Sequence, residues 1–254
     1  MRRHEGKVAV CAGSATGMGA ETALRLGREG AKVVIGDVNL DGALKVVDQI
    51  VGEGGEAAAF AFDIAEEASV QALIEGAVGR FGRLDLMHVN ATDRTLNTQD
   101  GDALSTELAV FDRMLAVGLR GHLLCTRFAI PEMLKTGGGA IVYTSSNAGK
   151  TAAPSRMSYY VMKAGLNGLM RHVATRWGRE GVRANAICPG IILTDAVLIN
   201  TSEAEREKMR KRLPSPRLGS VQDIAALVAF LLSDEAEWIN GQAVSIDGGS
   251  VTHG

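Results

Sequence analysis

Apolar residues along this chain fall into two alternating periods. Short unbroken runs of strand length recur at residues 7–12, 32–36, 57–62, 84–89, 140–143, 183–188 and 242–246. Between them lie stretches with helical spacing at residues 20–29, 40–52, 66–81, 108–135 and 221–233, and another that carries Tyr159 and runs to about residue 180. Unbroken apolar runs predict strands covered on both faces. Strands that alternate with helices throughout predict a parallel sheet with helices on both sides. The seven runs thus predict an α/β protein with a doubly wound parallel sheet of about seven strands. No linker or repeat interrupts the alternation, which predicts one domain over residues 1–254. Residues 93–106 and 194–212 are polar and read as connections.

The first turn of the chain narrows the class to a Rossmann-like start. Gly13, Gly17 and Gly19 sit between the first strand and the first helix, and Asp37 ends the second strand. Gly13 allows a tight turn, and Gly17 lets a pyrophosphate approach the backbone. Gly19 lets the helix pack on the sheet, while the helix N-terminus faces the phosphates. Asp37 follows at a strand end, where a carboxylate can accept both ribose hydroxyls. Ligands of such sheets sit beyond the strand carboxyl ends. Asp63, Asn90, Ser146 and Pro189-Gly190 all fall on that edge with the glycine turn and Asp37.

Tyr159 and Lys163 stand four residues apart on a helical stretch and share one face. Phenols and lysines titrate near 10, so neither is a useful acid or base at neutral pH unaided. A nearby ammonium favours phenolate. A phenol tuned in this way exchanges a proton with an alcohol or an alkoxide. Ser146 lies thirteen residues before Tyr159 and supplies a hydroxyl for the same substrate oxygen.

Composition removes other classes. Net charge is −2 with 22% charged residues, which gives no reason to expect a nucleic-acid or membrane partner. The basic cluster Lys208, Arg210, Lys211 and Arg212 is interleaved with glutamates and reads as a solvated helix face. Cys11, Cys125 and Cys188 are far apart, without metal or redox spacing, and read as reduced thiols of a cytoplasmic protein. The five histidines show no metal-ligand spacing, so no metal is expected. The charged start is followed by too short an apolar run for a signal peptide. The run 224–232 falls far short of the roughly 20 residues of a spanning helix.

Together these residues make the chain resemble the classical short-chain dehydrogenase/reductase family over essentially its whole length. The resemblance rests on the glycines at 13, 17 and 19, on Asp63, Asn90-Ala91, Ser146, Tyr159, Lys163, Pro189-Gly190 and Thr194, and on the tail from Gly241 to Gly249. It implies that Tyr159 is the acid/base and that Lys163 lowers its pKa and binds the nicotinamide ribose. Ser146 would orient the substrate carbonyl or hydroxyl. Asp63 and Ile64 would contact adenine, and Asn90 and Ala91 would pass beside the adenosine ribose. Thr16, Met18, Pro189 and Gly190 would join the cofactor site, with Ile192 and Thr194 at the carboxamide. The implied activity interconverts a secondary alcohol and a ketone by hydride transfer. Asp37 would repel a 2'-phosphate, and Thr16 and Val38 add no positive charge, so the expected cofactor is NAD. The resemblance also implies a homotetramer built through residues 108–135 and 158–180 and the last strand. Residues 194 to about 216 would form a substrate lid.

The chain departs from the family pattern at three places. Ala12 replaces a Thr, and Val89-Asn90-Ala91-Thr92 replaces Asn-Asn-Ala-Gly. Gly118 stands where the family has the Asn that kinks its helix and holds a water beside the lysine. The expectation here is that Gly118 keeps the kink, that water fills the freed space, and that Gly118→Asn is tolerated. Two alternatives remain beside the alcohol dehydrogenase. One is a 3-oxoacyl-[acyl-carrier-protein] reductase, which Asp37 disfavours. The other is a weakly catalytic cofactor-binding protein, which the intact Ser146, Tyr159 and Lys163 disfavour.

Overall fold

Each apolar run forms a strand, and each amphipathic stretch turns back across the sheet. The structure is a computed structural model and describes residues 2–252. The chain opens with β1 (Val8–Ala12), α1 (Gly17–Arg28), β2 (Lys32–Asp37), α2 (Leu40–Gly52), β3 (Glu56–Ala61), α3 (Glu67–Phe81) and β4 (Leu86–Val89). After a polar stretch come α4 (Leu108–Leu115), α5 (Gly121–Lys135), β5 (Gly139–Thr144), α6 (Met157–Trp177) and β6 (Val182–Pro189). Then follow β7 (Ile192–Leu193), α7 (Asp195–Asn200), α8 (Glu203–Lys211), β8 (Gly219–Ser220), α9 (Val221–Leu232) and β9 (Ala243–Ile246).

Seven strands form one parallel sheet in the order β3-β2-β1-β4-β5-β6-β9. Strand order reverses between β1 and β4, which opens a crevice at their carboxyl ends. The two-residue strands β7 and β8 pair separately. They were not expected, because a two-residue strand has no period to read.

Strand pleating sends alternate side chains to opposite faces. Val10, Ala12, Ile141 and Tyr143 join the core under α3, α5 and α6. Ala9, Cys11, Ala140 and Val142 join the core under α1, α2 and α9. The three cysteines are buried and unpaired, as expected. The polar stretch after Thr194 forms two short helices. Thr194 caps α7, and Ser202 with Glu205 closes a capping box on α8. No residue of α8 is buried, so the local caps and the Glu207–Arg210 pair hold it rather than a core.

The 108–135 helix is continuous but changes its winding at Gly118. Residues Ala116–Arg120 form a π turn between α4 and α5. The extra residue shifts the helix register at that point. The expected water-filled space is not borne out. A Cβ on Gly118 would collide with Met162 Sδ and lie 2.8 Å from its Cγ. The thioether of α6 fills the volume that an Asn side chain would take. Tolerance of Gly118→Asn is therefore reversed. That substitution is expected to destabilise the protein by about 1–3 kcal/mol through overpacking. Adding Met162→Ala should recover part of the loss. Urea unfolding midpoints check this, and an undiminished midpoint for Gly118→Asn alone would count against the packing argument.

Candidate active site

Gly13 leaves β1 with φ +78°, a conformation that glycine adopts without strain. Asn90, at the end of β4, grips this turn. Its Nδ2 donates to the Gly13 carbonyl at 2.8 Å. The Asn90 and Ala91 amides donate to the Ala12 carbonyl at 2.9 and 3.0 Å. A Cβ on Gly13 would sit 2.7 Å from the Ala91 Cβ, so the close approach admits no larger residue. A Cβ on Gly19 would stand 2.6 Å from Ser14 Oγ. Gly19 thus lets α1 pack against the glycine turn itself, a closer partner than the sheet.

Gly17 opens α1 with φ +60°. Exposed Thr16 is its N-cap residue but makes no side-chain cap, and the first turn holds no acid. An uncapped, acid-free N-terminus suits an anion. Thr194 stands over it, with Cγ2 3.5 Å from where a Gly17 Cβ would be. Met18 is half-buried, packs against the core, and accepts from Thr22 Oγ1 at 2.8 Å. The Asp37 carboxylate accepts from the Ala15 and Asn39 amides, both at 2.9 Å. It therefore faces the glycine turn and stays half-exposed. Asp63 stays half-exposed and accepts from the Ala65 amide at 2.9 Å. Ile64 is 3% exposed and belongs to the core, which leaves Asp63 as the accessible side chain of that pair. These features fit a nicotinamide dinucleotide: a free helix N-terminus, a tight glycine turn and a carboxylate beside it.

A second group of residues meets at the end of β5. Lys163 is 2% exposed, and its ammonium donates to the Thr144 carbonyl at 2.7 Å. Ser145 Oγ donates back to the Lys163 carbonyl at 3.2 Å. Burial pushes the Lys163 amine down from 10.5 to about 8. Its Nζ lies 5.8 Å from the centre of the Tyr159 ring, and the Arg156 guanidinium lies 5.2 Å from that centre. Ser146, two residues beyond Thr144, is half-buried and accepts from the Ala148 amide at 3.2 Å.

At the end of β6, the Gly190 amide donates to the Ile246 carbonyl at 3.1 Å. A Cβ on Gly190 would meet the Asp247 Cβ at 2.8 Å, so Pro189-Gly190 is pressed against the tail. Ile192 is buried, while Thr194 Oγ1 accepts from the Val197 amide at 3.3 Å.

Sequence reasoning missed several neighbours of the site. Asp100 is buried, and its carboxylate accepts the amides of Ser158 and Tyr159. His88 and Thr144 share a side-chain hydrogen bond of 2.9 Å beneath Lys163. Buried His122 has no hydrogen-bonded ring nitrogen among the described residues. Burial lowers both imidazoles to about 3. The histidines carried no ligand spacing, and nothing local to Asp100 pointed across the chain. A separate groove of about 1110 Å³ lies against α8, near Leu193, Arg206 and Arg217, and includes neither Tyr159 nor Lys163. Among the described residues, no group of three His, Cys, Asp or Glu could hold a metal, and no helix is long and apolar enough to cross a membrane.

Comparisons with known proteins agree with this geometry. A family profile described as Enoyl-(Acyl carrier protein) reductase matches residues 12–251. A probable short-chain type dehydrogenase/reductase of Bradyrhizobium diazoefficiens is 44% identical over 100% of this chain and 90% of its own length. Cyclohexanol dehydrogenase of an Acinetobacter species is 38% identical over 95% of this chain and 94% of its own. A structure of 7 alpha-hydroxysteroid dehydrogenase complexed with NADH and 7-oxo glycochenodeoxycholic acid superposes with a TM-score of 0.92 at 34% identity, covering 99% of this chain and 96% of that one. The glycine turn, the Tyr159–Lys163 pair and these full-length likenesses together make the chain a member of the short-chain dehydrogenase/reductase family.

Proposed function

We propose that this protein is an NAD(H)-dependent oxidoreductase that interconverts a secondary alcohol and a ketone. The observation that carries the reading is Tyr159 beside the buried Lys163 ammonium, on the sheet edge that also holds the glycine turn and Asp37. Relatives named for cyclohexanol and D-threitol, and one solved with NADH and a 7-oxo bile acid, support the same reaction class.

The uncapped N-terminus of α1 and the glycine turn would hold the diphosphate of the cofactor. Asp37 would accept its ribose hydroxyls. A bound nicotinamide would supply the hydride chemistry. Tyr159 gives a proton to the substrate oxygen in reduction and takes one in oxidation. Lys163 stabilises the negative charge that then develops on the phenol oxygen. Ser146 donates to the substrate oxygen and fixes its direction. The segment 194–216 closes over the substrate and excludes water. In this reading one domain spans the chain, and four copies assemble through α4, α5, α6 and β9. Leu123 and Val161 are exposed on two of those helices.

Three measurements test the reading. Asp37 places a carboxylate where a 2'-phosphate would sit, so fluorescence titration is expected to give much tighter binding of NADH than of NADPH. Equal dissociation constants would remove the NAD assignment. Tyr159→Phe is expected to lower kcat by about 10²–10⁴-fold while leaving NADH affinity near wild type. Tyr160→Phe serves as the control and should be mild. A Tyr159→Phe enzyme with near-normal kcat would sink the acid/base role.

The third measurement uses the buried lysine. The folded pKa of Lys163 lies below its ordinary value, so the folded chain holds fewer protons between pH 8 and 10.5. The resulting penalty on the folded state is full below pH 8 and fades as pH rises to 10.5. It amounts to about 3 kcal/mol, and an unpaired Thr144 carbonyl would return about 1 of these. Lys163→Met should therefore be about 2 kcal/mol more stable than wild type at pH 7, yet inactive. Urea unfolding across this range should show the advantage narrowing; a constant difference would contradict it.

A further inference from the structure

The catalytic helix begins in an unusual way. Arg156, its N-cap residue, has φ 61° and ψ 44°, and is the only non-glycine residue with positive φ among the described residues. A side chain in this region is disfavoured, so surrounding bonds must impose it. Those bonds come from a distant loop. The Arg156 amide donates to the Asp100 carbonyl and the Met157 amide to the Gly101 carbonyl, both at 3.0 Å. The Ser158 amide donates to Asp100 Oδ1 at 3.0 Å, and the Tyr159 amide to Asp100 Oδ2 at 2.9 Å.

These four N–H groups belong to the first turn, where a helix leaves its amides without partners of its own. Two consecutive residues satisfy all four. The Asp100 side chain is an N-cap supplied from 58 and 59 residues away, where the usual cap is local. Asp100 is 4% exposed, so its carboxylate is shielded from water; besides these amides, Oδ1 accepts from the Thr106 hydroxyl at 3.5 Å. A carboxylate here also meets the positive end of the helix dipole. The same loop starts at Asn90 and Ala91, which grip the glycine turn. The loop therefore runs from the cofactor edge directly to the amide of Tyr159.

We propose that Asp100 is a positioning residue that holds Tyr159 in register with the cofactor edge. The inference rests on the role given to Tyr159 above. Tyr159 lies in the turn that Asp100 caps. Lys163 lies one turn later and is held independently by Thr144. Loosening the cap should therefore move the phenol while sparing the lysine and the glycine turn. Misplacement of a reacting group by about 1 Å costs on the order of 10²-fold in rate.

The test compares wild type with Asp100→Ala and Asp100→Asn. The readouts are alcohol oxidation with NAD, NADH titration and amide hydrogen exchange. Expressed per NADH-binding site, kcat should fall at least about tenfold in Asp100→Ala. Asp100→Asn keeps one acceptor and should lose less. The dissociation constant for NADH should stay within about twofold of wild type in both. A merely structural role would lower the number of NADH-binding sites but leave kcat per site unchanged, and that result overturns the proposal. Exchange in the wild type is a second readout that needs no variant to fold. The amides of residues 156–159 should be strongly protected, and rapid exchange there also overturns the proposal. A wild type that turns over no alcohol or ketone would defeat the oxidoreductase reading instead. Slow exchange at residues 156–159 would then show the clamp to be present without that chemistry.

Discussion

A buried ammonium is the constraint on which the rest of this molecule depends. Lys163 is almost fully excluded from water, and its one direct acceptor among the described residues is the Thr144 carbonyl. An isolated charge in such a place is costly, and its pKa moves toward neutrality in response. The fold tolerates that cost because β5 and α6 are joined on both sides of the lysine. Ser145 bonds to the Lys163 backbone, and Asn167, one turn later, bonds to the Gly149 carbonyl. A lysine kept at such expense next to a tyrosine ring argues for use rather than for packing. An apolar residue would fill the same space with less penalty.

The sheet gives this pair its partner. Strand order reverses between β1 and β4, so the connections that follow them leave to opposite faces where the glycine turn lies. Asn90 and Ala91 then press on Gly13 from the far side of that reversal. Thr194 reaches the same turn from beyond β6. The parallel register aligns Ala12 with both Gly36 and Val89, so the residues that follow β1, β2 and β4 leave the sheet side by side.

The sequence made legible whatever is imposed locally. Gly13 and Gly17 could be read because the backbone needs positive φ there, and composition records that need. Tyr159 and Lys163 could be read because helical spacing alone puts them on one face. The inner sheet strands could be read because burial on two faces leaves unbroken apolar runs, and the edge strands β3 and β9 kept such runs although none of their residues is buried. What depends on two distant segments could not be read. Asp100 sits in a polar stretch, and only the folded chain brings it to α6. Met162 is an ordinary apolar helix position until Gly118 leaves it room. The short helices α7 and α8 could not be read either, because the charge of residues 194–212 argued for a connection.

The environment of Lys163 also explains why its charge stands alone. Two imidazoles, His88 and His122, are buried close to it. Burial holds both near 3, and the lysine pushes His122 further in the same direction. Both rings are therefore neutral wherever the protein is folded near neutral pH. Protonating either would place a second cation in a site that already carries one. The pocket thus has a single buried positive charge, and the Met162 thioether brings no further one beside Gly118. Lys163 is therefore the buried cation beside the Tyr159 ring, and the exposed Arg156 guanidinium is the second cation at that ring.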